Sequence, residues 1–404
     1  MINVVGLGYI GLPTALMLAD SGLEVVGTDI SKEVINTLQA KKVTFEEPGL
    51  NTIFESALEK GIKFELEYIE SDFYIITVPT PYDKKSKKID PCYVIEAVKQ
   101  VLTVCRSGAI IVIESTVSPG TIDKYIRPIL EDYGYDIGKD IHLAHAPERI
   151  LPGQMIRELK SNSRTIGADD LKIAKKVKEI YSRFCQGEIA TTSIRTAEMT
   201  KVVENTFRAI NIAFANELTK LARQEAMDVY EIVKIANMHP RVNILNPGPG
   251  VGGHCIPVDP WFLVGDYPRL TNLISTALEI NESMPDHVLN RINEVMIENG
   301  IKDKNKVGIY GLTYKPDVED IRESPTLQMF EKMSDKFSDP FRVYDPLLNK
   351  KILESQTLDF ERFVEESEII VIMQSHSHIK ENIKLLRNKI ILDTQNFIED
   401  AYKL

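Results

Sequence analysis

INVVGLGYIG, residues 2–11, is a short apolar run that ends in three glycines spaced as GxGxxG, and the helical pattern TALMLADSG follows close behind. That order reads as strand, tight turn, helix. Gly6 permits the turn, Gly8 lets backbone amides approach a pyrophosphate, and Gly11 lets helix and strand pack closely, with Tyr9 and Ile10 completing the loop. The next strand-like run, EVVGTDI (24–30), carries Asp29, 18 residues beyond Gly11. A carboxylate there accepts bonds from the adenosine ribose hydroxyls and repels a 2′-phosphate, which favours NAD over NADP.

Working outward, DFYIITVPT (72–80), AIIVIESTV (109–117), HLAHAP and EIATTS recur at intervals that leave room for helices. Runs this continuous suit parallel strands buried on both faces. Residues 1–190 therefore read as an NAD-binding, doubly wound α/β domain. From Arg195 the chain runs for more than forty residues without Pro or Gly, with apolar residues at three- and four-residue spacing. This predicts one long helix or a helix pair, a central segment (191–298) suited to a subunit interface. Strand-like runs return at KVGIYGL, FRVYDP, SEIIVIM and KIILDT, and VGIYG followed by Asp345 echoes VVGLG followed by Asp29. Residues 299–404 read as a second, smaller Rossmann-like unit. The expected fold is α/β, two Rossmann-like doubly wound domains joined by a long central helix.

The 48 basic and 59 acidic residues leave a net charge of −11. That balance argues against nucleic acid or an anionic membrane surface as partner, both of which need clustered Lys and Arg. It leaves small anionic ligands open. No apolar run is long enough to span a bilayer, and with a strand opening directly after Met1 no cleavable signal is expected. Four cysteines without CxxC or framework spacing point to reduced thiols and a cytoplasmic protein.

Thr80 in TVPTPYD and Thr116 in ESTVSPGT follow strand-like runs, so both fall at the carboxyl edge of the sheet and offer hydroxyls to the nicotinamide half of a cofactor. NPGPGVGGHCIPVDPWF (246–262) can neither form a helix nor pair as a strand. A thiol on such a glycine-rich loop, Cys255, is a candidate nucleophile. Asp259 is placed to orient water or a substrate hydroxyl, and His254 to brace the loop. His254, His376 and His378 lack partners at ligand spacing, so no metal site is expected. On the long helix Lys201, Asn205 and Arg208 stand at i, i+4 and i+7, within an arc of about 60°.

At these residues the chain resembles the UDP-sugar 6-dehydrogenases of the UDP-glucose/GDP-mannose dehydrogenase family. GLGYIG, ESTVSPGT, APERILPG, the helix with Lys201 and Asn205, GPGVGGHCIPVDP and GLTYKPDVEDIRESP carry the resemblance in the family's order. APERILPG and HPRVNIL are most similar to the members that act on UDP-N-acetyl-D-mannosamine; UDP-N-acetylglucosamine and UDP-glucose are the alternative substrates, and a single-step hydroxyacid-type dehydrogenase is the rival layout. The resemblance implies a four-electron oxidation of the sugar C6 alcohol with two NAD, through a thiohemiacetal and a thioester on Cys255. It implies oxyanion stabilisation by Lys201 and Asn205, and places Glu148 and Asp259 near the proton transfers and the hydrolytic water. It assigns Arg149, Ile150, Arg208, His239, Arg241, Gly252, Tyr314 and Lys315, with Lys201 and Asn205, to the UDP-sugar, and Arg322 to NAD. It also implies a homodimer or higher homo-oligomer, in which Arg241 serves a neighbouring subunit's site.

Overall fold

The computed structural model describes residues 1–334 and 341–404. The chain divides into two compact units, Met1–Glu204 and Asn205–Leu404.

The first unit is built on eight strands: β1 (Ile2–Val5), β2 (Val25–Thr28), β3 (Lys63–Glu65), β4 (Phe73–Ile76), β5 (Ala109–Ile113), β6 (Ile141–His145), β7 (Arg164–Ala168) and β8 (Ile189–Thr192). Their order is β3-β2-β1-β4-β5-β6-β7-β8. The first six form the parallel 3-2-1-4-5-6 sheet of dinucleotide-binding folds, in which the strand order switches sides at β1 and β4. β1, β2 and β5 are buried along their whole length, as continuous apolar runs require when helices cover both sheet faces. One expectation needs correction. β7 pairs antiparallel to β6, and β8 runs with β7, so the last two strands oppose the rest. EIATTS is also exposed at two of its four strand positions, as an edge strand is. Its place at the end of the sheet, with a neighbour on one side only, makes it an edge strand and not one buried on both faces.

The second unit carries β9 (Val307–Tyr310), β10 (Arg342–Tyr344), β11 (Ile369–Ile372) and β12 (Ile390–Asp393) in a wholly parallel sheet, ordered β10-β9-β11-β12. This is the arrangement of β2-β1-β4-β5 in the first unit, so the echo in the sequence is a topological repeat. The Pro- and Gly-free stretch forms a pair of helices, Ile194–Gln224 and Val229–Ala236. The break falls at Ala226, whose φ is +53°, and Asp228 caps the second helix by accepting from Tyr230 N at 2.8 Å. No helix among the described residues is long and apolar enough to cross a membrane.

Candidate active site

In the first unit the glycine turn is locked by a few specific contacts. Gly6 takes φ +90°, in the left-handed region that favours glycine. A Cβ on Gly11 would stand 1.8 Å from Gly6 O and 2.3 Å from Thr77 Oγ1, so the helix packs here on bare backbone. A Cβ on Gly8 would meet nothing within 4 Å. The helix that follows, Gly11–Asp20, has no side chain capping its N-terminus and no acid in its first turn. Open space beside Gly8 and an uncapped helix N-terminus suit a pyrophosphate. Asp29 Oδ2 accepts from Leu7 N at 2.7 Å and Oδ1 from Ser31 N at 2.8 Å, and the carboxylate is half-buried, with lone pairs left for ribose hydroxyls. Tyr9 is exposed against Phe45, their ring centroids 4.5 Å apart, and Ile10 is half-buried. These residues fit NAD.

The loops after β4 and β5 meet at the same edge. Thr77 Oγ1 donates at 2.6 Å to Gly6 O, and Ser115 Oγ donates at 2.7 Å to Val78 O. Thr80 is buried and Thr116 half-buried beside them. Glu198, on the helix Ile194–Gln224, holds the SPGT turn by accepting from Gly120 N at 2.6 Å and Ile122 N at 3.0 Å. Burial lifts its carboxyl to about 7, against the pull of those two amides. Thr77 and Glu198 hold the two turns in shape, and motif reading passed over both. Thr77 was signalled by its place directly after a strand; Glu198 had no signal, because its partners lie 76 and 78 residues away.

Glu148 is buried after β6 and accepts from Arg149 N at 2.6 Å and from the Arg164 guanidinium. Arg149 points its own guanidinium at Ser163 O (2.8 Å), Thr165 Oγ1 (2.9 Å) and Glu204 (2.5 Å). Ile150 packs on the core of this unit, and Lys201 is buried.

In the second unit, residues 246–258 of the segment 246–262 form an irregular loop, with φ +139° at Gly250 and +94° at Gly253. Residues 259–262 open a helix after all, because Pro260 falls in the first turn, where its missing N–H costs nothing. Cys255 is half-buried, and its carbonyl accepts from Asp259 N at 2.8 Å, the residue that opens the helix Asp259–Asp266. Asp259 is buried, and its Oδ2 accepts from Asn205 Nδ2 at 2.6 Å. Asn205 therefore orients Asp259 with one of its amide hydrogens. The loop is fixed by its backbone: Gly253 N donates to Arg322 O (2.8 Å), and Gly248 N to the buried Asn216 (3.0 Å), which also donates to Asn281 at 2.9 Å. A Cβ on Gly252 would fall 2.5 Å from Tyr314 Cβ, so the Tyr314 segment and the cysteine loop are packed to contact. His254 is exposed, and its imidazole is held below the ordinary range by partial burial and by the nearby Arg322. Lys315 is half-buried, Arg208, His239 and Arg241 are exposed, and Arg322 forms a bidentate pair with Asp320.

The second Rossmann-like unit repeats the acid device with a difference. Asp345 Oδ2 accepts from Leu312 N (2.6 Å) and Thr313 N (3.0 Å), and Oδ1 from Leu347 N (2.9 Å), as Asp29 does from Leu7 and Ser31. But Asp345 is only 2% exposed, and the buried His376 lies 3.6 Å from it. A ribose cannot reach it. His376 also accepts from Asp317 N at 3.0 Å, and His378 bonds Tyr310 OH at 3.1 Å, so both histidines serve the packing of this unit.

The chain belongs to the UDP-glucose/GDP-mannose dehydrogenase family: residues 1–185 match its NAD binding domain, 195–283 its central domain and 308–400 its UDP binding domain. It is thus an NAD-dependent nucleotide-sugar dehydrogenase. Among its relatives, the UDP-N-acetyl-D-mannosamine dehydrogenase of Methanococcus vannielii is 43% identical over 98% of this chain and 93% of its own length. That of Escherichia coli is 37% identical over 94% of both. Solved structures of UDP-N-acetylmannosamine dehydrogenases from Staphylococcus aureus (40% identity, 100% and 97% of the two chains, TM-score 0.89) and Pyrococcus horikoshii (38%, 99% and 97%, TM-score 0.91) share the fold.

Proposed function

We propose that this protein oxidises the C6 alcohol of UDP-N-acetyl-D-mannosamine to the uronate, using two NAD and one water. The reading is carried by the cysteine loop: a half-buried thiol four residues before a buried carboxylate that Asn205 holds at 2.6 Å. A one-step alcohol dehydrogenase needs no such thiol. The names of the relatives supply the sugar.

NAD serves as the hydride acceptor in both oxidations. The alcohol loses a hydride and a proton to give the aldehyde. Cys255 Sγ adds to C6, and the thiohemiacetal loses a second hydride and proton, leaving a thioester. Water then attacks, the C–S bond breaks, and the carboxylate leaves with the thiol restored. Lys201 supplies a buried cation for the oxyanion, and Asn205 the second donor. Glu148 and Asp259 handle the protons and the water. Gly6, Gly8, Tyr9, Ile10, Gly11, Asp29, Thr80, Thr116 and Arg322 hold the cofactor. Arg149, Ile150, Arg208, His239, Arg241, Gly252, Tyr314 and Lys315 line the sugar nucleotide. Arg322 and Arg149 must first exchange the partners they hold here.

The reading extends to three domains (1–190, 191–298, 299–404) and to a cytoplasmic homodimer or higher homo-oligomer. Met199, Val203, Phe207, Phe214 and Leu221 are all exposed along one side of the helix Ile194–Gln224, within about 80° of arc. An apolar stripe of that length on a helix supports an interface between copies.

The test is NADH yield per sugar across UDP-N-acetylmannosamine, UDP-N-acetylglucosamine and UDP-glucose. Two NADH per sugar are expected, with the mannosamine substrate best by kcat/KM. Cys255→Ser should retain NAD binding and lose the uronate product. One NADH per sugar, or full uronate production by Cys255→Ser, would refute the thioester route; a better kcat/KM on another sugar would refute the substrate.

A further inference from the structure

Behind Glu148 lies a buried polar cluster that the chemistry above does not use. Arg164, the first residue of β7, is 3% exposed. Its Nη2 donates to Glu148 Oε2, and its Nη1 donates to Glu114 Oε1 at 3.0 Å. Glu114 follows β5 and heads the ESTVSPGT loop; its other oxygen accepts from Tyr181 OH at 3.2 Å. The guanidinium lies over the rings of Tyr181 (4.5 Å) and Phe184 (5.4 Å), which fixes its plane. One fork thus grips two carboxylates, one nitrogen to each, and all four side chains are buried.

Two carboxylates facing one guanidinium leave an excess negative charge in a water-poor site, and a bound proton removes it. Three groups face Glu114: Arg164 from β7, Glu148 from the segment after β6, and Tyr181 from the helix Leu171–Tyr181. Burial lifts the Glu114 carboxyl to about 7, against Arg164 and with the help of Glu148. Burial also keeps Tyr181 protonated, its pKa pushed well above the ordinary range. His145, buried at the end of neighbouring β6, is lowered to about 4 and stays neutral.

We propose that Arg164 is a positioning residue for Glu148, and that Glu114 is the protonatable counterweight on the guanidinium's other nitrogen. When Glu114 carries a proton, the whole cationic charge faces Glu148 and holds its carboxylate in one place. When Glu114 ionises, the two acids compete for the fork. The proposal rests on the role given to Glu148 above.

A double-mutant cycle with pH profiles tests it. Arg164→Met should lower kcat about 30-fold or more with KM changed less than about 3-fold, the size of effect a displaced acid–base group gives. In the Glu148→Gln background the same change should cost less than about 3-fold, because a positioning residue has nothing left to position. Glu114→Gln, which keeps the volume and an oxygen for Arg164, should remove a kcat limb near pH 7; it carries the test alone where Arg164→Met does not fold. Losses that multiply across the cycle, or a pH profile unmoved by Glu114→Gln, would overturn the proposal. A Glu148→Gln enzyme with wild-type kcat would instead overturn the role of Glu148, and the proposal with it.

Discussion

Gly8 and Gly11 stand three residues apart in one motif, and the structure gives them opposite consequences on substitution. In Gly11→Ala the new Cβ begins 1.8 Å from Gly6 O, and real Cβ contacts essentially never fall below 3.0 Å, so the backbone must open by 3.0 − 1.8 = 1.2 Å. Neither neighbour is the loose end of a flexible chain. Opening the turn breaks the bonds from Thr77 Oγ1 to Gly6 O (2.6 Å) and Val5 O (2.9 Å), and that from Leu7 N to the Asp29 carboxylate (2.7 Å). The Thr77 hydroxyl has one proton shared between the two carbonyls, so it counts as one neutral bond at about 0.5–1.5 kcal/mol, and with one bond to a charged group at about 1.5–3 the sum is about 2–4.5 kcal/mol. For a unit of this size that is a fall in Tm of roughly 4–18 °C. Gly8→Ala meets no atom and needs no unusual backbone angle, so stability should hold within about 0.5 kcal/mol. Its methyl projects where the pyrophosphate approaches, so NADH affinity should fall about 10-fold or more. Thermal melts followed by circular dichroism read the first effect, and NADH fluorescence titration the second. A Gly11→Ala protein melting within 2 °C of wild type, or a Gly8→Ala protein binding NADH normally, would refute this account of the turn.

Other consequences follow from the same contacts. Glu198 has a folded pKa of about 7 against 4.5 unfolded, so the stability it contributes is greatest below 4.5 and is lost as pH rises through 7. Relative to wild type, Glu198→Gln should therefore gain up to about 3 kcal/mol between pH 4.5 and 8 in urea titrations; a flat difference would refute the shift. Asn216→Ala strands Gly248 N and Asn281 and should cost about 2–4 kcal/mol, with a slower Cys255 alkylation-protection response to substrate; a loss below 0.5 kcal/mol would show the loop is held elsewhere. Phe207→Ser with Phe214→Ser, at residues 66% and 49% exposed, should shift the particle toward a monomer in light scattering; an unchanged mass would place any interface on another face.

The nucleotide-binding turn was legible because its determinants are local. Gly6, Gly11 and Asp29 sit within one strand–helix–strand passage, and each glycine answers a steric demand that no other residue meets. The repeat in the second unit was legible for the same reason: β9, its Gly311 turn and Asp345 reproduce the order of β1, Gly6 and Asp29. The cysteine loop stood out because so many Pro and Gly residues exclude both regular structures. What the sequence by itself determined was thus the fold class and the cofactor, and it marked the loop that carries the candidate thiol. Only the tertiary structure decided that Asp345 is sealed by His376 while Asp29 stays open, that β7 and β8 reverse, and that Glu114, Glu148, Arg164 and Tyr181 form one cluster. Those groups are separated by 16 to 67 residues along the chain. A buried charge declares its partner through the shared cost of leaving water, and that cost has no periodicity for a sequence to display.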